Sequence, residues 1–456
     1  MGSVWTDDLR MPCFPPLWGQ ARTDVLIIGG GMAGLLCARM LQNAGVDCAV
    51  AEAASIAGGI TKNTTAKITS QHGLIYQQLA KRFGTEKAAL YLQANEQALA
   101  AFRTLCAGID CDFFEEDNYI YSTDNREKLE QEMQALESIG AKAEFAENLP
   151  LPFPTVGAVK FPHQAQFHPL KFLSAIADEL TIYENTPVRR LEKGAAVTDR
   201  GVIRADAFVV ATHFPFLNKH GSYFLKLYQQ RSYVLALENA PALRGMYLDE
   251  RENGLSFREY DGRLILGGGG HRTGHEGGGW NALEQFAKTH YPDARITHRW
   301  AAQDCMSLDG VPYIGRYSAM TPPLRCLGVQ QMGHDDLHGG GAAADRYHHR
   351  EEKPLRSGLF PFPEYAARPA GGQRSGSREK SSDRFPQTLS PSGLCAKVES
   401  SGAKLGLPVP RFPVRGKRQT HRQSCHEKSP QPLSGFCIFY DFPLVFFHMC
   451  GYNSQR

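Results

Sequence analysis

The stretch Thr23-Asp24-Val25-Leu26-Ile27-Ile28-Gly29-Gly30-Gly31-Met32-Ala33-Gly34 decides how this chain is read. Its first half is a short apolar run rich in β-branched residues, the pattern of a strand buried on both faces. Its second half is a G-x-G-x-x-G sequence, and Leu35 to Asn43 continues as an apolar helical stretch that stops at Gly45. Asp47 to Ala51 predicts a second strand, which ends on Glu52. Each part has a physical task. Gly29 permits a tight turn, Gly31 lets the backbone approach a diphosphate, and Gly34 lets the helix pack on the strand. The helix start at Met32 and Ala33 offers unpaired N–H groups to phosphate oxygens. Glu52 can accept a hydrogen bond from a ribose hydroxyl, and an acid there speaks against a 2′-phosphate. A lone G-x-G-x-x-G is weak, but strand, glycines, helix, strand and acid in this order point to a dinucleotide site. NAD and FAD both remain open at this point.

The next segment favours FAD. Gly58-Gly59-Ile60-Thr61-Lys62-Asn63-Thr64-Thr65-Ala66-Lys67 is rich in small residues and in hydroxyl and amine donors, where an NAD domain usually proceeds to another strand–helix repeat. By composition alone it also suits a solvated Thr-rich loop. Farther on, Thr186 to Leu191 and Asp206 to Thr212 predict strands, with Gly201-Val202-Ile203 as a hairpin between them. Asp309-Gly310-Val311-Pro312-Tyr313-Ile314-Gly315 then combines a turn with a short apolar segment. Taken in order, these motifs resemble the glycine/D-amino-acid oxidase (DAO) family of FAD-dependent oxidoreductases, over roughly residues 20 to 323.

That resemblance implies an α/β (α+β) fold with a Rossmann-like FAD-binding domain interleaved with a mixed-sheet substrate domain. Residues 20–111, 169–215 and 300–323 would form the first, and residues 112–168 and 216–299 the second. Carried over by position, Val188 would meet the adenine through its backbone and Thr212 would close the adenosine end. Thr61, Thr64, Thr65 and Lys67 would line the flavin, and Gly315 would lie near its ring. The implied activity is hydride transfer from an amine or amino-acid C–N substrate to flavin. A positive charge near the ring's pyrimidine edge would stabilise the reduced flavin, and Lys67 is the candidate, though a solvated lysine is as good a reading. His72 is a candidate acid/base group, with a hydrogen-bonded core histidine as the competing reading. Arg231, Arg258 and Arg272 could pair a substrate carboxylate, although none carries a local signature. An NAD-dependent dehydrogenase, and a non-catalytic product retaining only a nucleotide-binding half, are the alternatives.

The remaining body is ordinary. Glu86 to Leu105, capped by Thr85, and Asn125 to Ile139 predict helices, as does the stretch that His168-Pro169 opens towards Leu180. Tyr233 to Leu237, Leu255 to Tyr260 and Arg263 to Gly267 predict strands, with Asp261-Gly262 as a hairpin turn. Gly267–Gly270 and Gly277–Gly279 suggest mobile loops around His271 and His275. Those glycines make a helix unlikely, so His271-x-x-x-His275-Glu276 is not read as a metal site. No Ser-His-Asp motif or P-loop occurs.

Eleven scattered cysteines without a C-x-x-C pair suit a reducing compartment, and no apolar run is long enough for a spanning helix, so a cytoplasmic protein without membrane partner is expected. The net charge of +3 hides a split: residues from Pro322 onward carry 19 basic and 11 acidic side chains, and 14 of the 27 prolines. That part, 324–456, shows no sustained structural period and reads as an aberrant, largely disordered tail without specific nucleic-acid affinity. The family fold needs a last strand and helix just there. Reverse-translated and shifted by one base, Gln330 to Gly341 can read Asn-Lys-Trp-Gly-Met-Thr-Thr-Ser-Met-Ala-Ala, the Gly-containing junction expected. In the same frame Leu389 to Cys395 and Leu407 to Phe412 can read Cys-Pro-His-Leu-Gly-Cys and Cys-Pro-Cys-His-Gly-Ser. A Cys-x-His and a Cys-x-x-His together are the ligand signature of a Rieske [2Fe-2S] centre. The tail is therefore read as out of frame. An intact relative would be an FAD/Rieske fusion, whereas this chain as translated lacks the cluster ligands, and His334, His338, His348 and His349 would be accidents of frame.

Overall fold

The β-branched run lies at the centre of a sheet covered on both faces. Strand β1 (Gly19–Ile28) leads through the glycine turn into α1 (Met32–Asn43) and then β2 (Cys48–Ala51). Ile27 and Val50 pack into one core with Leu35 and Leu41 of α1, while Leu26, Ile28, Ala49 and Ala51 face a second core with Phe208 and Val210. This alternation explains the apolar run: successive side chains point to opposite faces, and here both faces are dry. The computed structural model describes residues 2–7, 9–214, 216, 225–251, 253–308, 310–312, 314–316 and 324–327.

Along the chain follow β3 (Lys67–Ile68), α2 (Tyr76–Phe83), α3 (Thr85–Cys106), β4 (Phe114–Ser122), α4 (Arg126–Ser138), β5 (Glu144–Ala146), β6 (Gly157–Gln166), α5 (Pro169–Ala177) and β7 (Thr181–Tyr183). Next come β8 (Val188–Glu192), β9 (Ala195–Thr198), β10 (Gly201–Val210), β11 (Leu227–Glu238), β12 (Met246–Asp249), β13 (Ser256–Tyr260) and β14 (Arg263–Arg272). Last are α6 (Gly279–His290), β15 (Arg295–Ser307), β16 (Ile314–Arg316) and β17 (Leu324–Leu327). One sheet runs β16-β17-β10-β1-β2-β7, with β8 and β9 attached beside β10, and is parallel from β17 to β7. The other runs β15-β11-β14-β13-β12-β4-β6-β3, with β5 on β6, and is antiparallel except where β12 meets β4. The expected pair of a nucleotide sheet and a mixed sheet is thus present.

Several boundaries move, because ladder pairing decides them and local composition does not. β15 pairs with β11 from Leu227↔Ser307 to Glu238↔Arg295, so residues 300–307 belong to the mixed sheet and not to the nucleotide layer. Lys67 and Ile68 also pair into that sheet, through β6. Leu324–Leu327, expected to begin the tail, is a parallel strand beside β10. Gly201-Val202-Ile203 opens β10, and its hairpin partner is β9. Gly267–Gly270 is strand rather than loop. A Cβ at Gly269 would stand 2.5 Å from the Gly279 carbonyl oxygen, so the glycines there let the α6 turn press against β14. Gly84, at φ 90°, takes the N-terminal position expected of Thr85. Asn125 caps α4 through Lys128 N, and His168 caps α5 through Lys171 N with Pro169 behind it. Residues after Leu327, including His334, His338, His348 and His349, lie outside the described residues, as do Asp309 and Tyr313. No helix among the described residues is long and apolar enough to cross a membrane.

Candidate dinucleotide and substrate site

At the C-terminal end of β1 the glycines divide their work as their spacing suggested. Gly29 has φ +113°, and a Cβ on it would stand 2.4 Å from the Ala211 carbonyl oxygen at the end of β10. A Cβ on Gly34 would stand 1.9 Å from Gly29 O, so this glycine, buried behind the turn, permits the helix–strand contact. Gly31 differs: the nearest protein atom to its would-be Cβ is Thr61 Oγ1 at 3.4 Å. The protein itself does not require a glycine there, and the space it leaves opens into a cavity of about 820 Å³. The start of α1 has no cap from its own N-cap residue, as at α2, α3 and α6, and Thr61 Oγ1 takes the Met32 N–H. A helix start facing a void is an anion seat, since its remaining N–H groups need acceptors and its dipole favours negative charge.

Glu52 holds this turn in shape. One carboxylate oxygen accepts from Gly30 N at 2.7 Å and the other from Ala54 N at 2.9 Å. A carboxylate has about four acceptor positions, so two stay available for a ribose hydroxyl. The cavity brings together Gly29, Gly31, Met32, Ala33, Glu52, Thr61, Thr64, Thr65, Lys67, Val188 and Thr212 of the expected set. Gly315 lies in β16, opposite Cys326.

The Thr-rich segment is fixed from three directions. Thr61 Oγ1 accepts from Met32 N at 3.3 Å, tying it to α1. Trp5 Nε1 donates to Thr64 O at 2.8 Å and Trp300 Nε1 donates to Asn63 O at 3.0 Å. Arg258, 1% exposed, donates from Nη1 to both Thr65 O and Ala66 O at 2.7 Å. It lies 5.4 Å from the Trp5 ring centroid and 5.8 Å from that of Tyr260, sandwiched as cation–π pairs are. Burial lowers the Arg258 guanidinium to about 9. The loop is therefore a rigid wall. Lys67 sits at its end, Nζ donating to Tyr247 O at 3.2 Å, and burial with repulsion from Arg258 lowers its ammonium to about 7.

His72 is not brought to this site. It is buried outside the cavity lining, with Nδ1 2.8 Å from Tyr91 Oη and Nε2 2.8 Å from Thr69 O. The carbonyl can only accept, so Nε2 carries the proton and Nδ1 accepts from the tyrosine. Burial lowers the imidazole to about 4, which fits the competing reading of a hydrogen-bonded core histidine. Arg258 faces the loop carbonyls, and Arg272 lies 5.0 Å from the Tyr228 ring centroid. Neither lines the cavity. Arg231 does, as an exposed side chain 5.9 Å from the Tyr233 ring centroid. His271 Nε2 lies 3.0 Å from Tyr233 Oη.

The far wall comes from the mixed sheet: Gln230, Ser232, Tyr233, Ala302, Asp304 and the Gly267–Gly268 backbone. Sequence reasoning missed Asp304, Gln230, Trp5 and the role of Arg258. An acid inside Trp300-Ala301-Ala302-Gln303-Asp304-Cys305-Met306 was the one available signal, since strand interiors disfavour Asp.

A glycine turn at the ends of parallel strands, with a mixed sheet closing the opposite side of one cavity, is the two-sheet architecture of a dinucleotide-binding fold. The chain belongs to the FAD dependent oxidoreductase (DAO) family, whose model matches residues 24–338. It is 32% identical over 339 residues to the putative Rieske 2Fe-2S iron-sulfur protein YhfW of Bacillus subtilis (strain 168), covering 69% of this chain and 66% of that protein. The chain thus spans just under two thirds of that curated relative. In fold it is similar to glycine oxidase from Geobacillus kaustophilus (20% identity, TM-score 0.56, 69% of this chain and 90% of that one). L-amino acid deaminase from Proteus vulgaris is also similar (14% identity, TM-score 0.54, 70% of this chain and 91% of that one).

Proposed function

We propose that this chain holds FAD in the cavity between the two sheets and oxidises the C–N bond of an amine or amino acid. The observation that carries the reading is the Gly31 cradle: a helix start whose glycine leaves space open to the cavity, room that a diphosphate would fill. Bound FAD supplies the acceptor for a hydride. The N–H groups at Gly31 and Ala33 would receive the diphosphate, joined by Met32 N–H on release from Thr61 Oγ1, Glu52 the ribose, and the Val188 backbone and Thr212 the adenosine end. Thr61, Thr64 and Thr65 would line the flavin. Lys67, held at about 7, is half protonated near neutrality, and a neighbouring anion raises its proton affinity, so it can supply positive charge when charge accumulates beside it. Visible spectra of the purified chain before and after mixing with FAD test this. About one equivalent of bound flavin is expected; no flavin and no uptake would favour the non-catalytic reading.

We also propose that the chain beyond Leu327 is read out of frame relative to an intact FAD/Rieske fusion. The printed name of the Bacillus subtilis relative, a putative Rieske protein, supports this, together with the two Cys/His motifs in the shifted frame. The fusion would pass electrons from flavin to the cluster. DNA sequencing around Pro322-Pro323 tests it: a single base restoring both motifs is expected, and codons that forbid them end the idea.

A further inference from the structure

The mixed-sheet wall contains a polar pair with one unpartnered oxygen on each residue. Asp304 on β15 and Gln230 on β11 stand directly opposite each other, 7% and 2% exposed, and both line the cavity. Asp304 Oδ2 and Gln230 Oε1 make no hydrogen bond, and among the described residues no ion pair includes Asp304. The same two strands satisfy their polar groups elsewhere: Gln303 Nε2 donates to Gln229 Oε1 at 2.7 Å. Burial alone pushes the Asp304 carboxyl up to about 7, with no compensating cation. Burying an acid and an amide oxygen without donors is costly, so a wall that keeps both is arranged for a donor arriving from the cavity.

Position and charge narrow the donor. On β15 the side chains of Trp300, Ala302 and Asp304 share one face, and Trp300 contacts Asn63 in the Thr-rich wall. Asp304 is four residues beyond it, about 13 Å farther along the strand. It therefore sits on the mixed-sheet side of the cavity, next to Gln303, whose carbonyl oxygen lies 3.2 Å from His213 Nε2. Arg258 and Arg272, which could have taken a substrate carboxylate, do not line the cavity, and Arg231 is at its exposed rim. A carboxylate beside Asp304 would meet like charge, whereas an ammonium brings charge and several donors to two waiting acceptors.

We propose that Asp304 and Gln230 form the seat of a cationic amine nitrogen, so that the substrate class is an alkyl amine without a neighbouring carboxylate. This rests on the oxidase reading above and specifies its substrate. Bound there, the ammonium is held by its charge, and its carbon chain extends into the remaining cavity.

The test is ligand-observed saturation-transfer NMR on the full chain, with n-butylamine, butyrate and norvaline as probes near neutral pH. Flavin content is read separately by absorbance. Butylammonium is expected to bind about tenfold tighter than norvaline or butyrate. Asp304→Asn, which removes only the charge, is expected to weaken butylammonium about tenfold and erase the preference, with a thermal midpoint no lower than that of the parent chain. Asp304→Glu retains the preference in part. Norvaline binding as tightly as butylammonium, no butylammonium signal, or an unchanged preference in Asp304→Asn would each overturn the assignment. So would a variant that loses flavin while keeping amine selectivity, since Asp304 would then serve the cofactor. A wild-type chain without flavin refutes the oxidase reading, yet leaves amine selectivity measurable.

Discussion

Replacing Gly31 and Gly34 separately by alanine distinguishes a glycine kept for a ligand from one kept for the fold. At Gly31 the backbone is extended, φ −83° and ψ −171°, which alanine adopts without strain. Its methyl would meet only Thr61 Oγ1, at 3.4 Å. Gly31→Ala should therefore change the stability of the flavin-free protein by less than about 1 kcal/mol, the scale of a helix-start substitution. The same methyl projects into the cradle and displaces an incoming diphosphate from the N–H groups of α1. Each charge-assisted hydrogen bond lost costs about 1.5–3 kcal/mol, so FAD affinity should fall about ten- to a hundredfold. In Gly34→Ala the methyl lies 1.9 Å from Gly29 O, so helix and strand must separate. That overpacking costs about 1–3 kcal/mol or more before any ligand is added. Urea unfolding followed by tryptophan fluorescence measures the first quantity, and quenching of added FAD fluorescence the second. If Gly31→Ala destabilises the flavin-free protein as much as Gly34→Ala, or binds FAD with unchanged affinity, the cradle argument is wrong.

Two further outcomes follow from the buried cations and imidazoles. His72, lowered from 6.5 to about 4, is neutral in the folded protein, so its contribution is complete above pH 6.5 and is lost as pH falls towards 4, where only the unfolded chain takes up the proton. His72→Gln should flatten stability against pH in that window by up to about 1.4 kcal/mol per pH unit, leaving the share of His168, also held at about 4; parallel curves would refute this. Arg258→Met strands Thr65 O, at about 1–3 kcal/mol, while Ala66 O keeps Phe167 N at 3.4 Å and a buried charge whose Nε and Nη2 have no partner is relieved. A net loss of about 1–3 kcal/mol with weakened FAD uptake is expected, and unchanged uptake would show that the loop does not touch the cofactor.

The strand–turn–helix–strand unit from Thr23 to Glu52 was legible because its determinants are local: a buried strand, three glycines at fixed offsets, a helix start and an acid occupy thirty consecutive residues. The helices at Arg126 and Pro169 were legible for the same reason, each announced by its capping residue. Trp300 to Ser307 was not: its alternating pattern suits any half-buried strand, and only the twelve-residue ladder with β11 assigns it to the mixed sheet. Gly267–Gly270 looked like a loop because the close approach of Gly279, which calls for the glycines, comes from another element. The glycine turn and its flanking elements thus belonged to the sequence. The meeting of Asp304 with Gln230, 74 positions apart, and of Arg258 with the Thr65 carbonyl, 193 apart, belonged to the tertiary structure, since neither residue carries any mark of its partner until β-pairing and packing place them together.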